Sequence, residues 1–290
     1  MRALTPLEDA RKSMLDALRA GQRVMLIGPS GTGKSTLCKA AAQQLGEELG
    51  VVCADPGRPT FGPPGALTFG RLKVEAWELE AMCGVATLDS IRFRMLWLSA
   101  LSELARARTG PMLFDMPGVW RGGAARELIT GAARSLGVDL VVALIPSSDT
   151  NLHTPKGMWT ELEMLPGALI VARPHPAAKR LGEGSRHAAR TQTWNTFMTP
   201  GEVRSTHLTH TPILGATPPQ VPEHWIGRQI AILGADGRTL GMGCVTGLID
   251  HAPTADVRQV FPGEIAAARM HDARVVRGRL RTDRYVGEQD

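Results

Sequence analysis

Arg23-Val24-Met25-Leu26-Ile27-Gly28-Pro29-Ser30-Gly31-Thr32-Gly33-Lys34-Ser35-Thr36 is the stretch that decides the fold. A short apolar run opens into a glycine-rich turn and then into a helix-compatible segment. Gly28 to Ser35 match G-x-x-x-x-G-K-[ST] in the strand–turn–helix context that this pattern requires. Backbone N–H groups around Gly31 and Gly33 are expected to point at phosphate oxygens, and the N-terminus of the following helix adds its positive dipole end. Lys34 is expected at the β- and γ-phosphates, Ser35 at Mg²⁺ and Thr36 on the α-phosphate side, with Gly28, Pro29, Ser30, Gly31, Thr32 and Gly33 forming the cradle. ATP and Mg²⁺ are the expected cofactors.

Outward from this turn, apolar runs alternate with helical patterns. Pro6 to Ala20 predicts a helix before the first strand. Val51 to Ala54 forms the next apolar run, ending at Asp55 and opening a Gly/Pro-rich loop from Pro56 to Gly65. A helical pattern covers Leu88 to Ala107. It precedes the strand Met112 to Phe114, which ends at Asp115; Ala124 to Leu136 predicts a further helix, and Leu140 to Ile145 and Ala168 to Ala172 two further strands. Such alternation predicts an α/β fold of the P-loop NTPase type, a parallel sheet with helices on both faces. Beyond Pro174 a basic, helix-compatible segment reaches Met198. A Thr/Pro-rich connection then leads to short strands at Gln229–Leu233 and Met242–Ile249, so a first domain over 1–203 and a small β-rich C-terminal domain over 204–290 are expected.

Composition sets broad limits. The 290 residues are 43% hydrophobic and 21% charged, and no apolar run reaches the roughly 20 residues that span a bilayer, so a soluble, cytoplasmic protein is expected. Cys38, Cys53, Cys83 and Cys244 are too scattered for a metal or redox unit and read as reduced thiols. His207 and His210 form only a pair, so no protein-held transition metal is expected. A formal charge of +5 and a pI near 9.3 suit a polyanionic partner. Arginines 258, 269, 274, 277, 279, 281 and 284 form a basic tail, read either as phosphate-contacting or as a solvated, partly disordered end.

Two carboxylates bear on the chemistry. Asp55 follows the strand after the P-loop helix, where it could accept a proton from an incoming hydroxyl or cap an Asp-Pro-Gly turn. Asp115 ends an apolar strand, as does the acid that holds the Mg²⁺ shell in many P-loop proteins. Asp115-Met116-Pro117-Gly118 also matches the D-x-x-G switch of GTPases, although no N-K-x-D run is present to read guanine. A GTP-binding switch and a small-molecule kinase both stay open at this point.

Several separated segments resemble one family, the polynucleotide 5'-hydroxyl kinases related to the kinase subunit of the pre-mRNA cleavage factor and to ribosomal-RNA-processing kinases. Cys53-Ala54-Asp55-Pro56-Gly57-Arg58 is similar to that family's Asp-x-Asp-x-Gly-Gln signature, with Cys53 at the first Asp and Arg58 at the Gln. Asp115 to Gly122 resembles the family's Asn-Thr-x-Gly-Trp clasp with the tryptophan displaced by one position. The resemblance implies acceptor-side roles for Trp120, Arg121 and Arg58; Trp120 read from the residues alone is equally a core ring. Arg186-His187-Ala188-Ala189-Arg190 resembles the lid helix that closes over the transferring phosphate, with Arg180 assisting, while a solvated basic face is the plainer reading. The segments 226–233 and 241–245 look like the family's C-terminal β domain, whereas its N-terminal β domain is expected to be missing. The resemblance implies transfer of the ATP γ-phosphoryl group to the 5'-hydroxyl end of RNA or DNA, with Lys34, Asp55, Arg186 and Arg190 catalytic and Ser35 and Asp115 at the metal. Protein partners are not legible.

Overall fold

A computed structural model describes residues 4–106, 108–146, 157–165, 167–178, 182–199, 202–208, 210–215, 221–249 and 252–283. The chain divides into two compact units that are interleaved in sequence rather than split at 203/204. The first comprises Met1–Asp55, Thr68–Glu80 and Ile91–Leu181, and the second Pro56–Leu67, Ala81–Ser90 and Gly182–Asp290.

In the first unit, helix α1 (Leu7–Arg19) precedes β1 (Arg23–Ile27), and α2 (Lys34–Leu45) follows the glycine turn. Strands β2 (Gly50–Cys53), β3 (Ala66–Lys73), β4 (Ala76–Gly84), β5 (Met112–Asp115), β6 (Leu140–Leu144) and β7 (Ala168–Ala172) complete a seven-stranded sheet of order β4-β3-β2-β5-β1-β6-β7, of which the start of β3 and the end of β4 are counted in the second unit. The run β2-β5-β1-β6-β7 is parallel, and β3 joins β2 antiparallel. Every residue of β2, β5 and β6 is buried, as a parallel sheet covered on both faces requires. Helices α1 and α2 pack against each other and against the strands, while α3 (Arg94–Arg106), α4 (Gly122–Leu136) and α5 (Met158–Glu163) form a second packed series. The α/β fold and its parallel sheet are as the sequence predicts.

Two local expectations differ, and one hairpin was not foreseen. The β3–β4 hairpin was not legible, because its tip is Val74, at φ 55 and 96% exposed, rather than the Gly or Asn that usually marks such a turn. The helix expected from Leu88 begins only at Arg94; Thr87 Oγ1 accepts the Asp89 N–H at 3.2 Å, a local bond that competes with helix. The arginine tail is not a disordered end over 267–282, since it forms β13 (Ala267–Val276) and β14 (Arg279–Thr282), and Leu280 is fully buried. Arg284 lies outside the described residues.

The second unit carries helix α6 (Glu183–Phe197) and an antiparallel sheet of order β14-β13-β10-β11-β12-β8. Its remaining strands are β8 (Arg204–His207), β9 (Ile213–Gly215), β10 (Arg228–Leu233), β11 (Thr239–Ile249) and β12 (Ala252–Gln259), with β9 pairing β13 in parallel. Ile230, Ile232, Val257, Ala268 and Met270 alternate inward to form its core. Two bonds tie α6 to this sheet: Leu280 N–H donates to Thr191 Oγ1 at 3.1 Å, and Arg258 Nη1 donates to the Phe197 carbonyl at 2.5 Å. Thr191 and Phe197 reach β14 and β12 respectively, so the helix runs across the sheet.

On β13, His271 is 7% exposed, and burial together with the Arg269 charge lowers its pKa from 6.5 to about 4. The unfolded chain therefore takes up a proton that the folded chain refuses. This contribution to stability is fully present above pH 6.5 and is lost as pH falls toward 4. Chemical unfolding at several pH values should show stability declining through that window, and His271→Asn should flatten the decline; an identical slope in the variant would remove His271 as its source.

Candidate functional site

The site of the first unit is built at the carboxyl ends of β1 and β5. From β1 the chain crosses to β2 on one side, and from β5 it crosses to β6 on the other, so the sheet's topological switch point lies between them. Ile27 leads into the glycine turn at this place, and Asp115 ends the neighbouring strand in register with Leu26.

The turn needs its glycines for different reasons. Gly28 has φ 141, and a Cβ there would lie 2.3 Å from the Leu144 carbonyl oxygen, so both conformation and space exclude a side chain. Gly33 has φ 92 with open space around its would-be Cβ, and it serves as the N-cap of α2 with no side-chain capping bond. Thr32 Oγ1 donates to the Pro29 carbonyl at 2.9 Å, closing the loop on itself. Lys34, 6% exposed, donates from Nζ to the Gly28 carbonyl at 2.7 Å and to Pro29 at 3.2 Å, so its ammonium lies inside the ring of the loop. Ser35 and Thr36 are exposed on the first turn of α2. This arrangement fits a triphosphate: the uncapped N–H groups, the helix dipole and the ammonium converge where anionic oxygens would sit.

Asp115 is 2% exposed, and Cys53 is its register partner on β2. The thiol of Cys38, on α2, is held well above its ordinary pKa by burial first, then by the charge of Asp115, then by Cys53. Asp55 is half-buried, and the residue before it is fixed from two sides. Ala54 N–H donates to the Asp115 carbonyl at 2.9 Å, and the Ala54 carbonyl accepts the Trp97 indole N–H at 2.8 Å. Among the described residues no group of three His, Cys, Asp or Glu side chains could hold a metal. Ser35, exposed on the first turn of α2, and Asp115, at the end of β5, are the side chains that would hold Mg²⁺, an ion usually bound by few protein ligands together with substrate phosphates and water.

The glycine of the D-x-x-G run has a packing role. A Cβ on Gly118 would lie 2.8 Å from Ser30 Cα, Cβ and N, so the segment after β5 lies directly on the phosphate loop. Trp120 sits in the core at 4% exposure, tilted 58° against Trp159 with ring centroids 5.7 Å apart. Its indole N–H is buried without a hydrogen-bond partner among the described residues. Arg121 is exposed at the N-cap of α4.

Arg58, Arg186 and Arg190 belong to the second unit. Arg58 is exposed. Arg190 is half-buried and donates from Nε to the Gly57 carbonyl at 2.7 Å, while Arg186 Nε is buried without a hydrogen-bond partner among the described residues. A purely solvated basic face does not describe α6. The basic segment expected over 174–198 is helical at Glu183–Phe197, and Arg180 lies outside the described residues. Sequence reasoning missed the Trp97–Ala54 bond and the Gly118–Ser30 approach, since neither pairing leaves a local signal.

Fold and phosphate loop together define a nucleotide-binding protein of the P-loop class. A family model described as ABC transporter matches residues 13–68, the segment that holds this loop. Over 171 residues the chain is 27% identical to the mRNA cleavage and polyadenylation factor clp1 of Botryotinia fuckeliana (strain B05.10), an alignment covering 48% of this chain and 37% of that protein. The chain thus spans well under half of that relative's length. The Clp1p–Pcf11p (454–563) complex matches with a TM-score of 0.71 at 12% identity, over 94% of this chain and 80% of that one. A second structure, of the extended Pcf11p–Clp1p interface and ATP loss in a point mutant, matches with a TM-score of 0.71 over 94% and 81%. The resemblance drawn from the motifs is borne out by these Clp1 matches. Among the described residues no helix is long and apolar enough to cross a membrane.

Gly118→Ala should push the segment after β5 off Ser30 and distort the cradle. A loss of about tenfold or more in ATP affinity is expected, roughly 1.4 kcal/mol, with thermal unfolding little changed. Titration with a fluorescent ATP analogue reads it; wild-type affinity would show that the loop tolerates the shift.

Proposed function

We propose that this chain is an ATP-dependent polynucleotide 5'-hydroxyl kinase. The observation that supports the reading is a pair of carboxylates on neighbouring strands: Asp115, buried at the end of β5 in register with Leu26 of β1, and Asp55, half-buried just after β2, whose preceding residue Ala54 donates its N–H to the Asp115 carbonyl. ATP in the loop would supply the γ-phosphoryl group. Lys34 and the N–H groups at the start of α2 hold negative phosphate oxygens, and Ser35 and Asp115 would hold Mg²⁺. Asp55 accepts the proton of the 5'-hydroxyl as its oxygen bonds to the γ-phosphorus and the bond to the β–γ bridging oxygen breaks. Such a base contributes about 10²–10⁴ in rate.

The similarity to clp1 supports a nucleic acid as the acceptor, and the positive net charge agrees with it. The lid role of Arg186 and Arg190 and the acceptor-side roles of Arg58 and Arg121 belong to the same proposal. Trp120, buried as it is, would act by packing beneath the segment 115–122 rather than by offering its ring to a base.

Transfer of labelled phosphate from ATP or GTP to 5'-hydroxyl RNA and DNA oligonucleotides tests the proposal, with 5'-phosphate strands as controls. Labelling of the 5'-hydroxyl strands alone is expected; GTP turnover without any acceptor would favour the switch reading. Lys34→Ala should abolish transfer while the protein stays folded by circular dichroism. Asp55→Asn should lower the transfer rate by about 10² or more with ATP affinity nearly intact, as loss of a general base requires. If affinity fell in step with rate, Asp55 would be a metal-site or structural residue instead.

A further inference from the structure

Within the second unit, a cavity of about 390 Å³ opens beside α6, lined by Phe61, Gln192, Thr193, Thr196, Phe197 and Arg258 among others. It lies further along the same helix from Arg190, whose Nε bonds to Gly57, and Phe61 comes from the loop that Gly57 opens. Nothing in the proposed phosphoryl-transfer chemistry uses it.

The lining has two kinds of surface. One is flat and polarisable: the Arg258 guanidinium stacks on the Phe197 ring, 5.0 Å from its centroid, and Phe61, 7% exposed, adds a second aromatic wall. The other is a polar edge, with the amide of Gln192 and the hydroxyl of Thr196 exposed and the Thr193 hydroxyl turned back to the Ala189 carbonyl at 3.0 Å. Arg258 does not offer an open charge. Its Nη2 pairs with Glu202 at 2.5 Å and its Nη1 donates to the Phe197 carbonyl at 2.5 Å, so a phosphate there would have to displace a carboxylate. A neutral, flat heteroaromatic ring with donors and acceptors on its edge matches both surfaces, and the volume falls in the ordinary range for a small-ligand site.

We propose that this cavity holds one base of the acceptor strand, stacked on the Arg258–Phe197 pair with its edge bonded to Gln192 and Thr196. The inference rests on the reading of the acceptor as a nucleic acid. It makes the second unit the part of the chain that grips the strand through a base.

A direct test uses the full chain and 3'-fluorescein-labelled 5'-hydroxyl decanucleotides in which one position at a time is abasic, with affinity read by anisotropy. In the wild-type protein one abasic position should weaken binding about tenfold or more, the scale of a lost base–aromatic stack. Phe197→Ala and Gln192→Ala should weaken binding of the intact strand and largely erase the penalty at that same position. Phe197 packs against Trp194 with ring centroids 6.0 Å apart, and its variant could unfold; the exposed Gln192 keeps the test decisive. An abasic penalty that persists unchanged in Gln192→Ala overturns the inference while leaving the kinase proposal standing. A wild-type protein that neither binds nor labels any of these strands overturns both.

Discussion

The close approach of Gly28 to the Leu144 carbonyl is the constraint on which the phosphate loop depends. At 2.3 Å from a would-be Cβ, the first residue after β1 must be glycine if β1 is to end beside β6 and still turn at once into the loop. On that turn depend the left-handed N-cap at Gly33, the uncapped start of α2 and the return of Lys34 Nζ onto the Gly28 carbonyl. A larger residue at 28 would have to move β1 away from β6, and with it the register that sets Leu26 beside Asp115.

Around this turn, burial and backbone bonds help to hold the charged groups in place. Asp115 is buried at a strand end, and Cys38 below it stays protonated because both burial and that carboxylate oppose a thiolate. Asp55 takes its position from Ala54, whose N–H and carbonyl are both engaged. Groups fixed in this way need little reorganisation when charge moves near them, which is the condition under which electrostatic stabilisation is largest.

The second unit uses polar groups differently. Arg228, 4% exposed, donates to the His224 and His271 carbonyls and pairs with Asp283 at 3.4 Å, so the end of β14 is tied to β10 by a buried cation. Gln229 donates to the Pro64 carbonyl at 2.7 Å and Arg190 to Gly57, so both ends of the loop after Asp55 are held by residues distant in sequence. That loop also carries Phe61, a wall of the cavity beside α6.

By itself the sequence determined the parallel sheet, the phosphate loop, and the carboxylates just after β2 and at the end of β5, because strand–turn–helix alternation and a glycine-spaced lysine act locally. Burial on both faces makes β2, β5 and β6 read as continuous apolar runs, and these were legible. Only the tertiary structure decided the features that arise from contacts between distant segments. It made strands of the arginine-rich 267–282, where alternate residues turn inward on partners that no local pattern announces. It gave Gly118 a packing reason against Ser30 that the D-x-x-G pattern could not distinguish from a switch, and it placed Trp120 in the core. It also showed α6, for which the sequence left both a lid and a solvated basic face open, as a helix bound to Gly57, Leu280 and Arg258, since a basic helix shows its partners only when the sheet beneath it has formed.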